Sequence, residues 1–223
     1  MKLLPQRGAA TRADVRVIHQ VAAWCLGYPD AELFGRLDLM RAALAESPGD
    51  DAVRLLQRFL DAASTTDPTG LAQHYTDVFD LSRKQTLYLS YWSAGDTRRR
   101  GAVLGEFKRL YRDSGLLVNL HGELPDYLPI VLEFAALADP ARGGKALADS
   151  RSAIELIRFA LVDVGSPYAD VLAAVCATLP GDSPPDRASA LATASPSPSV
   201  ETVGLEPYDS RLLPILTGRE AFR

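Results

Sequence analysis

The sequence predicts an all-α fold: a single-domain helical bundle with a flexible C-terminal tail that is rich in proline, serine and alanine. Between residues 15 and 179, apolar side chains recur every three or four positions in one segment after another. Most of these segments are bounded by capping residues, glycine or proline, which are the usual start and stop signals of helices. Because 47% of the residues are hydrophobic and 23% are charged, the chain is able to bury a core of its own.

The N-terminal half of the predicted bundle contains four helices. The first begins with a capping box at residues 11–14 and ends before a glycine and a proline. The second and third are expected at 30–46 and 53–63. Asp67 then supplies an N-cap and Pro68 a proline at the first helical position, which predicts the start of a fourth helix.

The second half is predicted to be helical as well. The segment 81–92 fits either a helix or irregular structure, because its apolar residues alternate as in a strand and also share one helical face. Further helices are expected at 96–114, 125–135, 140–164 and 167–179. Outside 81–92 no alternating run bounded by turn signals is present, so the sequence favours helices that pack on one another.

The composition changes after Leu179, and this change predicts the domain organisation. Fifteen of the twenty residues in 180–199 are Pro, Ser, Ala or Gly, which cannot bury enough apolar surface to offset the entropy of ordering. We therefore expect a helical domain at 1–179, a flexible linker at 180–200 and a C-terminal segment at 201–223. Leucines and an isoleucine make this last segment apolar enough to dock onto the domain or onto a partner.

Charge and rare residues exclude several function classes. A net charge of −4 offers no basic field for nucleic acid. The two cysteines, Cys25 and Cys176, are too far apart to predict a disulfide framework or a zinc site. The three histidines, His19, His74 and His121, lie in separate elements without a recognisable motif, so we expect no catalytic residue, no metal and no intrinsic cofactor.

The location of the protein is predicted from its hydropathy pattern. No apolar run has the length of a signal peptide or of the ~18 residues that span a membrane. We expect a cytoplasmic protein without stable membrane insertion.

Three consecutive arginines, Arg98, Arg99 and Arg100, begin the predicted helix after Asp96. Cations in a first turn oppose the helix dipole, at a cost of about 0.3–1 kcal/mol each when exposed. One interpretation is a solvated charge run that salt screens. The other, which we take as the prediction, is a contact with an anion or an acidic client.

Two segments combine carboxylates with aromatic rings near helix ends. One contains Tyr75, Asp77, Phe79 and Asp80, and the other contains Glu123, Asp126 and Tyr127. Capping explains a carboxylate at a helix start, but it does not explain the neighbouring rings. Acidic groups beside aromatic surface suit a basic amphipathic helix. We predict one peptide groove, lined by Tyr75, Asp77, Phe79, Glu123, Asp126 and Tyr127.

The same two segments carry a resemblance to a known family. His74-Tyr-Thr-Asp-Val-Phe-Asp-Leu81 and Glu123-Leu-Pro-Asp-Tyr-Leu128, with the arginine-bearing helix between them and Leu26-Gly-Tyr-Pro29 before them, resemble the nitrate reductase delta-subunit (NarJ-type) family. This family lies within the wider group of molybdoenzyme-specific chaperones (TorD/DmsD-like). The resemblance covers about residues 15–179. Tyr127 stands where many members of the wider group have histidine, and the proline-rich tail lies outside the shared pattern.

The resemblance implies a chaperone rather than an enzyme. Its partner would be the apo alpha (catalytic) subunit of respiratory nitrate reductase, bound in part through that subunit's N-terminal segment. The molybdenum guanine dinucleotide cofactor belongs to the client and would be inserted before membrane attachment. Alternatives are a helical transcription regulator or another protein-binding helical module, and a small helical hydrolase or lyase. The scattered arginines of 36–58 and the missing catalytic constellation disfavour the regulator and the enzyme.

Overall fold

A computed structural model describes residues 14–94 and 98–194, and these form eleven α-helices without a β-sheet. The prediction of an all-α fold is confirmed. The helices are α1 (Val15–Cys25), α2 (Ala31–Ala45), α3 (Asp51–Thr65), α4 (Pro68–Tyr75), α5 (Leu89–Ala94), α6 (Arg98–Asp113), α7 (Leu128–Glu133), α8 (Pro140–Asp149), α9 (Arg151–Asp163), α10 (Tyr168–Thr178) and α11 (Arg187–Ala194).

Aspartates start most of the N-terminal helices. The side chains of Asp14, Asp30, Asp50 and Asp67 each accept backbone N–H bonds from the first turn of the helix that follows. These bonds satisfy amides that would otherwise lack a partner. Asp14 itself is the cap of α1, whereas the predicted capping box placed the cap at Thr11, which lies outside the described residues.

Helix α10 is the centre of the bundle and packs against α3, α9 and α1. Its side chains Val171, Leu172 and Val175 are fully buried. A helix that is apolar on most sides has to be enclosed by others, which explains its central position. Cys25 and Cys176 are also buried in the core, and burial raises the pKa of both thiols.

The helices differ from the prediction in four details. Helix α4 passes into a π-helical turn, Thr76–Asp80, and α7 passes into another, Phe134–Ala138. Pro125 does not open α7, because the chain turns at 124–127 and the helix begins at Leu128. The predicted helix at 140–164 is two helices, α8 and α9, since Ser150 ends the first and begins the second.

The described part of the predicted linker contains a helix and is not a flexible chain throughout. Residues 187–194 form α11, which packs on α9 and buries Ala190. Arg187 Nη1 lies 3.0 Å from Asp163 Oδ2, and Arg151 Nη1 donates to the Pro180 carbonyl at 2.7 Å. Alanine is a strong helix former, so the composition that suggested a linker also permits this helix. Residues 195–223 lie outside the described part, and the domain boundaries remain a prediction.

None of the helices within the described ranges has the length and hydropathy needed to cross a membrane.

Two adjacent glycines in α8 provide a test of the packing between α8 and the turn before it. A Cβ on Gly143 would lie 2.5 Å from the Cα of Ala135, whereas a Cβ on Gly144 would meet nothing within 4 Å. We expect Gly144→Ala to stabilise the protein by about 0.5–1 kcal/mol, because alanine costs less entropy in a helix. Gly143→Ala should destabilise it by about 1–3 kcal/mol through overpacking. Urea denaturation measures both, and equal effects would contradict this packing.

Candidate functional site

The two acidic and aromatic segments are brought together around a short backbone pairing. Leu89 N–H donates to the Asp126 carbonyl at 3.2 Å, and Leu128 N–H donates to the Leu87 carbonyl at 3.0 Å. Tyr88 and Tyr127 face each other in this antiparallel bridge, with ring centroids 5.5 Å apart. The alternation in 81–92, which had suggested a strand, corresponds to this bridge.

Tyr75 and Tyr127 form the direct contact between the two segments. Their hydroxyl groups lie 3.1 Å apart, and the Tyr75 hydroxyl also lies 3.2 Å from the Leu26 carbonyl. Burial is the main cause of a raised pKa for both phenols, so both remain neutral hydrogen-bonding groups. The structure therefore brings these two tyrosines together, and their contact with a client stays a prediction.

Aromatic rings extend from Tyr75 in two directions. Phe79 lies 4.8 Å away between ring centroids, and Tyr28 meets Tyr75 edge to face at 5.5 Å. Tyr168, which is fully buried, supports both Tyr75 and Phe79 from the core. Edge-to-face pairs of this kind each contribute about 0.5–1.5 kcal/mol of stabilisation beyond the area they bury, and they restrain the positions of the rings. Tyr28 is 54% exposed, so the aromatic cluster reaches the surface there.

The carboxylates beside these rings are Glu123 and Asp80. The Tyr88 hydroxyl donates to Glu123 Oε2, and both Glu123 and Asp80 contribute to raising the pKa of Tyr127, after burial. Asp80 is exposed and Glu123 is partly exposed. These two acids can therefore meet a cation that approaches the rings from solvent.

Asp126 is buried and does not line a groove, whereas Asp77 lies at the surface. Asp126 is 0% exposed, and its Oδ2 accepts the Ser90 N–H at 2.8 Å. Among the described residues its other oxygen, Oδ1, has no hydrogen-bond partner. Asp77 is exposed, and its Oδ1 accepts a hydrogen bond from Gln73, one turn earlier on α4, at 3.0 Å. Asp126 holds the bridge from inside and is closed to a peptide in this structure.

The site that the structure presents is an aromatic–acidic surface formed by Tyr28, Phe79, Asp80, Tyr88, Glu123 and Tyr127, with Tyr75 beneath it. Tyr28 and Tyr88 were missing from the predicted groove. A usable signal existed for Tyr28, since it precedes the proline that ends the first helix within one of the family motifs. Tyr88 could not be found in this way, because its role depends on the bridge to Tyr127.

Arg100, the last residue of the arginine run, contacts another side chain of the protein. Arg100 Nε donates to Ser90 Oγ at 3.1 Å. The backbone N–H of the same serine donates to Asp126. Arg99 is exposed, and the side chain of Arg98 lies outside the description. Arg100 thus supports the bridge, while an anion or client contact of the run remains a prediction.

The histidines occupy separate structural positions. His19 Nε2 lies 2.9 Å from Thr178 Oγ1, and burial lowers the pKa of His19 to about 4. His74 Nε2 lies 2.9 Å from Ser166 Oγ. This hydroxyl is buried and also accepts the Tyr168 N–H at the start of α10. Within the described residues no group of three or more His, Cys, Asp or Glu is arranged to hold a metal ion.

The fold is shared with a solved structure. A crystal structure of an Archaeoglobus fulgidus protein, described as a candidate redox enzyme maturation protein, matches with a TM-score of 0.55 at 21% identity. The match covers 79% of this chain and 97% of that protein. At this identity the likeness defines the fold: the chain is an all-helical bundle of the same kind.

The sequence comparisons define the family. The family model described as nitrate reductase delta subunit matches residues 44–174, which is more than half of the chain. A Bacillus subtilis candidate nitrate reductase molybdenum cofactor assembly chaperone, NarJ, is 31% identical over 166 residues, or 74% of this chain and 90% of that protein. The chain belongs to the nitrate reductase delta subunit family, and the resemblance found in its motifs is confirmed.

Two further relatives show how far the similarity extends. The nitrate reductase molybdenum cofactor assembly chaperone NarJ of Escherichia coli K12 is 33% identical over 147 residues, 65% of this chain and 61% of that protein. The nitrate reductase-like protein NarX of Mycobacterium tuberculosis H37Rv is 40% identical over 162 residues, 73% of this chain. The chain spans only 24% of the length of NarX.

The buried position of Asp126 generates a stability prediction. Asp126→Ala should destabilise the protein by about 1–3 kcal/mol, because it leaves the Ser90 N–H buried without an acceptor. Asp77→Ala removes an exposed carboxylate and should change stability by less than about 0.5 kcal/mol. Thermal or urea denaturation distinguishes the two. Equal small effects would mean that Asp126 does not hold the bridge.

Proposed function

We propose that this chain is a client-specific chaperone that binds the apo catalytic subunit of a nitrate reductase and keeps it open for insertion of the molybdenum cofactor. The observation that carries this proposal is the similarity to NarJ of Bacillus subtilis along 90% of that protein's length. The NarJ proteins of two distantly related bacteria share the chaperone description. The alternative of a transcription regulator is not favoured by any of these relatives.

The aromatic–acidic surface is the proposed place of contact with the client's N-terminal segment. Exposed Tyr28 offers apolar contact area, and the exposed Leu81 extends it next to Asp80. Tyrosine provides large contact area at low entropic cost, and nearby carboxylates favour the basic face of an amphipathic helix. The predicted groove is kept with one change: Glu123 remains, Asp80 is added as a second source of charge, and Asp126 is left out because it is buried.

In the proposed function the chain binds its client and catalyses no reaction. It acts in the cytoplasm, has no resident metal or cofactor, and releases its client after the molybdenum guanine dinucleotide has been inserted. The cofactor is part of the client. Arg98, Arg99 and Arg100 are proposed to face an anionic part of the client, and Arg100 also donates to Ser90.

The test uses cells whose chromosomal gene for this chain is deleted, either alone or with a plasmid that expresses the wild type or a variant. The quantity measured is the molybdenum content of the purified catalytic subunit. Without the chain we expect molybdenum content to fall several-fold, and the wild-type plasmid should restore it. Asp80→Asn with Glu123→Gln should restore it only in part. Two charge contacts at the surface contribute about 0.2–1 kcal/mol each, so this variant should bind roughly 2- to 30-fold more weakly.

A matched control removes two exposed acids elsewhere. Asp38→Asn with Glu46→Gln, on and after α2, makes the same change in net charge and should restore loading fully. Full molybdenum content in the absence of the chain would contradict the chaperone function. Equal restoration by both variants would contradict only the acidic part of the proposed surface.

A further inference from the structure

A separate groove of about 680 Å³ lies between α5, α6, α8 and the first turn of α9. Apolar side chains supply half of the residues that line it, among them Trp92, Val103, Phe107 and Ala146. Charged side chains of both signs, including Glu106 and Lys145, also line it. A cleft of this volume that combines apolar and polar side chains has the character of a binding site.

Helix α11 brings the end of the described chain close to this groove. Arg187, at the start of α11, pairs with Asp163 at the end of α9, whereas Ser189 borders a small cavity with Ser152 and Glu155 nearer the beginning of α9. Ser152 also lines the large groove. Since Ala194 is five residues after Ser189, about 7.5 Å along the helix, the end of α11 lies within roughly 20 Å of the groove.

We propose that residues 205–216 of the same chain occupy this groove. The segment is the most apolar part of the chain after Ala194, with Leu205, Tyr208, Leu212, Leu213, Ile215 and Leu216. Ten residues separate it from the end of α11, and they span up to about 35 Å when extended. The segment also carries Glu206, Asp209 and Arg211, which complement the mixed charges that line the groove.

Covalent attachment to the domain favours the chain's own segment over a separate chain as the occupant of the groove. A segment joined by a short flexible linker has an effective concentration in the millimolar range. An intrinsic dissociation constant of about 1 mM is therefore enough to cover the groove half of the time, whereas a separate chain at micromolar concentration has to bind about a thousandfold more tightly. The tail is thus a built-in competitor for any segment that enters this groove. This inference does not depend on the proposed chaperone function.

Trp92 lines the groove and reports its occupancy in the full-length protein. Trp24→Phe leaves Trp92 as the single tryptophan, and acrylamide quenching of its fluorescence measures its accessibility. Leu212→Asp, Leu213→Asp and Ile215→Asp together should raise the quenching constant about twofold or more, because a charged segment no longer covers the ring. The matched control, Ser195→Asp, Ser197→Asp and Ser199→Asp, adds the same charge without removing apolar side chains and should leave quenching unchanged.

A second measurement identifies whose tail is bound. A synthetic peptide of residues 203–217, added to the triple Leu/Ile variant, should reduce quenching again, while the monomer mass persists in sedimentation experiments. Equal quenching of wild type and both variants would overturn the proposal. Protection that disappears on dilution, together with a dimer in sedimentation, would also overturn it, because the occupant would then belong to a second copy.

Discussion

The buried carboxylate of Asp126 and the backbone pairing around it hold together two parts of the chain that are 36 residues apart. Bonds on both sides of the carboxylate join 87–90 to 126–128, and the Tyr111 hydroxyl adds a bond to the Pro125 carbonyl at 2.6 Å. A buried carboxylate that accepts a backbone amide is expensive to remove, since the amide cannot find water in its place. The position of α7 relative to α5 and α6 depends on this junction.

The aromatic–acidic surface follows from that junction. The bridge places Tyr127 against Tyr75 on one side and against Tyr88 on the other. Tyr168 of the central helix α10 supports Tyr75 and Phe79 from below, so the rings at the surface are connected directly to the core. A surface whose rings are fixed before binding loses little conformational entropy when a partner arrives. The acids Asp80 and Glu123 stand beside rings that the fold has already oriented.

Most of the helices and part of the site could be predicted from the sequence. Helix periodicity and aspartate caps are local features, so α1 to α4 and α10 were found close to their observed positions. The bridge between Tyr88 and Tyr127 is a long-range contact, and no periodic pattern specifies its partner. For the same reason the carboxylate of Asp126, which looked like part of a peptide site or a cap, could not be assigned to the interior. Helix α11 was missed because alanine permits both a helix and a linker.

The central claim is that a client meets the chain at the aromatic–acidic surface. Its most direct test places the photoreactive amino acid p-benzoylphenylalanine at position 28, in the full-length protein, and irradiates it with the apo catalytic subunit of the nitrate reductase. The same residue at position 39, an exposed leucine of α2, is the control. We expect a crosslink from position 28 to the N-terminal segment of the subunit and none from position 39. Crosslinking from position 39 alone, or from neither position while the two proteins still bind, would contradict it.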